Sequence, residues 1–236
     1  AFLPEGFHLS VSWQAAFQKR IMNVNNNLFG MNADGKGTSR EFVGETNAPV
    51  IPSVQAAYVI NDKWSVSAQF AVGGGGGKCE FAEGLPMFEE LIGGIVAKNK
   101  GTSYALNQNL TGEQYFYAFQ LGATYKLTDN FSVFGGARGV LANCNYTGAI
   151  ANIKANGMNA AEYATLSAGA KAEAEKYAAQ AAAAQAAGNM AAAAQLAGAA
   201  EQYAAAAVQA GTVAAMIGDY KLDCAQSGFG ITPIIG

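Results

Sequence analysis

The nearest this sequence comes to a catalytic motif is the run Gly73 to Gly77 followed by Lys78. A phosphate-binding loop needs backbone N–H groups around the phosphates, a lysine to reach them and a hydroxyl for magnesium, spaced G-x-x-x-x-G-K-[ST]. Here Val72 stands where the first glycine belongs and Cys79 where the hydroxyl belongs. The dinucleotide fingerprint fails as well, because Lys78 replaces its last glycine. Glycine tolerates strained backbone, so the run reads better as a bend where a strand leaves its sheet.

Other reactive side chains are sparse. His8 is the single histidine, and no Cys or Ser nucleophile motif lies near it in sequence. Glu80, Glu83, Glu89 and Glu90 crowd one segment, where a solvated charge cluster is expected in place of a paired acid and base. The three cysteines, Cys79, Cys144 and Cys224, lack C-x-x-C spacing, which argues against zinc or redox chemistry, and an odd count leaves at least one unpaired. Cys144 and Cys224 flank one long connection, so neighbouring antiparallel strands make them a candidate bridge in an oxidising compartment. Neither an enzyme, a metal site nor a cofactor is expected.

The elements that carry these residues follow from pattern and composition. Charged residues are 13% of the 236, glycines number 29 and aromatics reach 11%, a profile that suits a chain facing lipid on one side. A net charge of −3 offers no basic field for nucleic acid. Phe7, Leu9, Val11, Trp13, Ala15 and Phe17 alternate with His8, Ser10, Ser12, Gln14, Ala16 and Gln18, which is a strand with one apolar and one polar face. Similar alternation runs through Val50–Ile60, Trp64–Val72, Tyr115–Tyr125 and Phe131–Leu141, and a sixth strand starts near Gly228. Tight turns at residues 61–63 and 128–130 make two hairpins that align over an offset of 67 residues, Tyr58 on Tyr125.

Long connections alternate with these turns, over residues 23–47, 73–113 and 143–220. That alternation is how a transmembrane β-barrel separates its two ends, and aromatics flanking both short turns resemble an interfacial girdle. The expected fold class is therefore all-β and membrane-embedded, an antiparallel transmembrane β-barrel with long, partly helical extracellular loops. On that reading His8 lines the interior. Residues 1–158 hold strands and loops, 159–211 form an Ala-rich helical hairpin with a capping box at Asn159 and Glu162, and 212–236 return to a strand. The hairpin reads equally as low-complexity padding. The uncharged stretch 177–200 is too poor in Leu, Ile and Phe for a membrane-crossing helix. Pro86 followed by Phe88, Leu91, Ile92 and Ile95 at helical spacing predicts a short amphipathic helix over 84–96, whose apolar face either packs on neighbouring loops or captures an apolar ligand.

Three stretches carry a family resemblance: Phe7-His8-Leu9-Ser10, the run from Ala48-Pro49-Val50-Ile51-Pro52 to Tyr58, and Gly228-Phe229-Gly230-Ile231-Thr232-Pro233 to Gly236. They resemble the outer-membrane transporters for long-chain fatty acids and aromatic hydrocarbons, the FadL and toluene-transporter type, over most of the chain outside the Ala-rich segment. The resemblance implies part of a 14-stranded barrel in the bacterial outer membrane, an N-terminal hatch in the lumen, and passive diffusion of a hydrophobic small molecule through lumen or wall. Its partners would be membrane lipid and that ligand, with the oligomeric state open. It further implies ligand contacts at Phe81, Leu85, Met87, Phe88, Leu91 and Ile92, and lumen positions at Gln120 and Arg138 beside His8. The hatch, with its Asn-Pro-Ala motif, does not precede Ala1, and about six strands cannot close a barrel, so the expectation is an internal fragment. The competing readings are a structural or adhesive surface protein that displays the helical hairpin, and a soluble β-rich binding protein.

Overall fold

Alternation of apolar and polar residues yields six strands in the computed structural model, which describes residues 3–236. They are β1 (Gly6–Asn25), β2 (Ser39–Val59), β3 (Trp64–Phe81), β4 (Tyr104–Thr128), β5 (Phe131–Ala155) and β6 (Tyr220–Ile235). Three helices, α1 (Pro86–Lys98), α2 (Ala160–Ala186) and α3 (Met190–Met216), and a short 3-10 turn at Asn27–Met31 occupy the connections at one end. The strands form one antiparallel meander in the order β1-β2-β3-β4-β5-β6, with β1 and β6 at its edges. Among the described residues, no helix is long and apolar enough to cross a membrane.

The strands run far beyond their alternating segments. β4 and β5 reach 25 residues each, several times the usual strand length, so much of what reads as long loop in sequence is strand that continues past the apolar zone. The glycine run belongs to this continuation. β3 does not leave the sheet at Gly73; it passes through the run to Phe81 and absorbs the extra residues as register shifts against β4. Gly75, at φ +98°, and Gly77, at φ +70°, supply backbone that side-chain-bearing residues rarely adopt.

Register ties the six strands into two chemically distinct faces. One rung reads Ser10, Gln55, Gln69, Gln120, Arg138 and Thr232 from β1 to β6. The adjacent rung, on the opposite face, reads Val11, Val54, Phe70, Phe119, Gly139 and Ile231. Aromatic rings join along this apolar face, Trp64 with Tyr125 at 4.7 Å and Phe70 with Phe119 at 4.8 Å between centroids. Among the described residues nothing covers it: Val11 is 69% exposed, and Trp13 and Phe17 are each 70% exposed.

The short turns repeat as the sequence repeat predicts. Asn61 Oδ1 accepts hydrogen bonds from the Lys63 and Trp64 backbone N–H groups, and Thr128 Oγ1, at the equivalent position, accepts from Asn130 N–H.

The compact core sits at the opposite, looped end. Ile92 and Val96 of α1, Tyr104, Ile150 and Ile153 of β4 and β5, Tyr163 of α2, and Val213 and Ile217 at the end of α3 pack together there. Asn159 caps α2 in a reciprocal capping box with Glu162, and Gly188, at φ +78°, turns the chain into α3. The expected helical hairpin therefore forms, with α3 running to Met216. Only its base joins the core.

A methyl group on Gly75 would meet the backbone carbonyl of Gln114, whereas one on Gly135 would meet open space. Gly75→Ala should therefore lower stability by about 1–3 kcal/mol, and Gly135→Ala should leave it within about 0.5 kcal/mol, as read from denaturant midpoints of the two variants.

Candidate functional site

Three features could handle a ligand: the polar face, an interruption in the sheet, and the looped end with its helix α1. The polar face carries all three expected interior residues. His8 lies two rungs from the amide row on the same face and its Nε2 stands 2.7 Å from Pro4 O, while Gln120 and Arg138 pair directly across β4 and β5. Arg138 Nε and Nη2 donate to Gln120 Oε1 at 3.1 and 2.7 Å, which fixes the guanidinium over the middle of the sheet. A shallow cavity of about 330 Å³ runs along the same row between His8, Gln55, Gln69 and Gln120.

The sheet is interrupted between β2 and β3. Pairing runs from Val59 to Ser53 and resumes at Asn47, which leaves residues 48–52 of β2 and 72–77 of β3 out of register. The cause is local: Pro49 and Pro52 have no N–H to donate, and the glycine run opposite bulges. The glycines therefore do not end the strand, and no local pattern signals that prolines face them from the neighbouring strand.

The six expected ligand contacts do not share one surface. Ile92 is fully buried, and Phe88 packs on the same core from α1. Phe81, on the polar face of β3, lies over Gly44, and its ring fills the space a side chain there would need. Leu85 is half-buried at the N-terminus of α1. Met87 and Leu91 point outward, 61% and 50% exposed. At 100° per residue the buried arc of α1 runs through Phe88, Ile92, Ile95 and Val96, and Leu91 falls outside it. Loop packing thus takes one side of the helix and leaves a smaller apolar side free.

What holds α1 in place is a buried ionic cluster that the sequence does not announce. Glu89 is 4% exposed and accepts hydrogen bonds from Tyr104 Oη at 3.1 Å, Gln108 Nε2 at 3.1 Å and Asn32 Nδ2 at 3.4 Å. Arg40, 8% exposed, forms ion pairs with Glu89 at 2.9 Å and Asp34 at 2.7 Å and donates to Phe29 O at 3.1 Å. The expectation of a solvated glutamate cluster fails at Glu89 and holds for its neighbours: Glu80 pairs with Lys78, Glu83 with Lys36, and Glu90 accepts from Asn26, all exposed. Arg40 and Glu89 stand 49 positions apart, so no local pattern signals their meeting. Burial, then the charge of Glu89 and its hydrogen bond, raise the Tyr104 pKa well above its ordinary 10.0. A cavity of about 590 Å³ opens beside the cluster between Asp34, Phe42, Glu83 and Gln108.

The cysteines are free. Cys144 lies opposite Gln226 and Cys224 opposite Tyr146, so the candidate bridge partners are diagonal neighbours on adjoining strands, and Cys144 Sγ instead accepts from Gln114 Nε2 at 3.3 Å. Among the described residues no group of His, Cys, Asp and Glu is arranged to hold a metal ion. No family model matches the chain, and no curated protein or solved structure is significantly similar to it.

Glu89→Ala would leave the Arg40 charge buried with half its partners, a change that costs about 3–5 kcal/mol where a buried pair is broken. The expected outcome is selective proteolytic cleavage within residues 82–103 while the strands stay protected. Tyr104 adds a pH dependence. Its pKa is raised on folding, so its contribution to stability is complete below pH 10.0 and is lost as the pH climbs through the higher folded value. Tyr104→Phe should flatten that alkaline loss in melts followed from neutral pH upward.

Proposed function

We propose that this chain forms part of the wall of a β-barrel in a bacterial outer membrane and that the barrel passes hydrophobic small molecules, of the long-chain fatty acid or aromatic hydrocarbon kind, without an energy source. The observation that carries this reading is the segregation of the two faces. Exposed apolar side chains on β1 extend from Phe7 to Phe17, a height of roughly 25 Å once strand tilt is included. Directly beyond that zone comes a belt of exposed charge on the same face, with ion pairs Lys19–Glu45 at 3.4 Å and Lys78–Glu80 at 3.3 Å. An apolar band of this height bounded by charge at one end and aromatics at the other matches a bilayer's hydrocarbon layer and its headgroups.

The other features take parts in the same reading. The polar face lines the passage, the looped end faces outside the cell, and exposed Met87 and Leu91 offer a first apolar contact. The unpaired stretch between β2 and β3 gives a lateral route through the wall, because backbone groups without ladder partners are tolerated where they border a cavity. A display role competes for one element only. The α2–α3 hairpin is anchored by its base and leaves an apolar groove of about 670 Å³ between Ala174, Ala204 and Gly211, which favours surface presentation for that insertion.

Replacing both Met87 and Leu91 by Asp leaves the buried arc of α1 intact, so surface levels should not change. Uptake of a labelled hydrophobic substrate by cells carrying the double variant should fall by about tenfold or more, the loss of one good apolar contact. Undiminished uptake at equal surface level would remove α1 from the route, and no uptake by the parent chain would overturn transport.

A further inference from the structure

Arginines and carboxylates fall on opposite faces of the sheet, whereas lysines such as Lys19 and Lys78 share the face of the carboxylates. The chain has three arginines, Arg20, Arg40 and Arg138, and the register places all three on the polar face. The strands contain five carboxylates, Glu41, Glu45, Glu80, Glu113 and Asp223, and the register places all five on the opposite face. Of the arginines, Arg40 is neutralised by Asp34 and Glu89. Arg138 is exposed and forms no ion pair among the described residues; its only fixed partner is the neutral amide of Gln120.

A cation kept beside amides and away from every strand carboxylate is a poor surface for a hydrocarbon and a good one for an oxyanion. The guanidinium is planar, permanently charged and shaped for two parallel hydrogen bonds to a carboxylate, sulfate or phosphate. Gln120 engages Nε and Nη2 and so leaves Nη1 without a hydrogen-bond partner among the described residues. Gln69, Gln55 and Ser10 extend the row with further neutral donors, and next to it Ala57, Ala71, Ala118 and Val140 offer apolar surface for a chain. We infer that Arg138, oriented by Gln120, anchors the anionic head of an amphipathic ligand on the polar face, and so makes the passage select anionic amphiphiles over neutral ones.

This inference rests on the reading that the polar face lines a passage, and its test separates the two. Equilibrium binding of radiolabelled hexadecanoate, hexadecyl sulfate and hexadecanol is measured on the full chain in non-ionic micelles. Both anions should bind about tenfold or more tighter than the alcohol, the scale of one charge-assisted contact. Arg138→Gln should bring them down to the alcohol's affinity, Arg138→Lys should keep most of the preference, and hexadecanol binding should not change in either variant. Equal affinity for acid and alcohol, or a preference that survives Arg138→Gln, would overturn the anchor and leave the passage standing. Binding of none of the three would overturn both. The tighter of the two anions identifies which kind of headgroup the site takes.

Discussion

Everything in this fold depends on a register held across five antiparallel ladders. Side chains alternate with a period of two, so a slip of one residue on any strand would carry its apolar set to the polar face. The rung from Ser10 to Thr232 and the rung from Val11 to Ile231 stay on opposite faces through all six strands. The tight turns at Asn61 and Thr128 fix that register for the β2–β3 and β4–β5 hairpins by hydrogen-bonding their own backbone. Where an extra residue enters, as on β2 between Ala48 and Ile51 opposite Gln14 to Ala16, or along Gly73 to Gly77, a bulge absorbs it and the faces remain separate beyond it.

The two ends of the molecule are stabilised by different physics. The zone around the short turns buries little, and among the described residues most large apolar side chains on its apolar face are exposed. The looped end has its own core and its own electrostatic centre. Arg40 gathers Asp34 and the Phe29 carbonyl from the β1–β2 connection and Glu89 from α1, and these partners satisfy a charge that would be prohibitive if left alone in the interior. The cluster therefore fixes where α1 sits, and with it which apolar residues of that helix are hidden and which are free. Met87 and Leu91 stay exposed on this helix because Glu89 and Ile92 take its buried side.

The insertion α2–α3 follows a third logic. Alanine gives it helix propensity and close approach, visible in the Tyr177–Tyr203 stack and the Ser167 to Ala207 hydrogen bond, but little apolar area to bury. It is held by Tyr163, Val213 and Ile217 at its foot, so the rest of the protein can keep its register whatever the hairpin does.

The sequence by itself determined the elements whose information is local. Period-two alternation located the strands and their two faces, the Asn61 and Thr128 turns and their 67-residue repeat located the hairpins, and Asn159 with Glu162 located the start of α2. It also placed His8, Gln120 and Arg138 correctly on the polar face, because facing is a matter of parity along a strand. Tertiary structure alone decided the rest. Strands continue past their alternating segments because a neighbour offers ladder partners, which composition does not record. The interruption in the sheet arises where prolines on β2 meet glycines on β3, and Glu89 is buried because Arg40 arrives from 49 residues away. Parity is written in one strand, whereas pairing and charge compensation belong to segments that become neighbours only when the chain has folded.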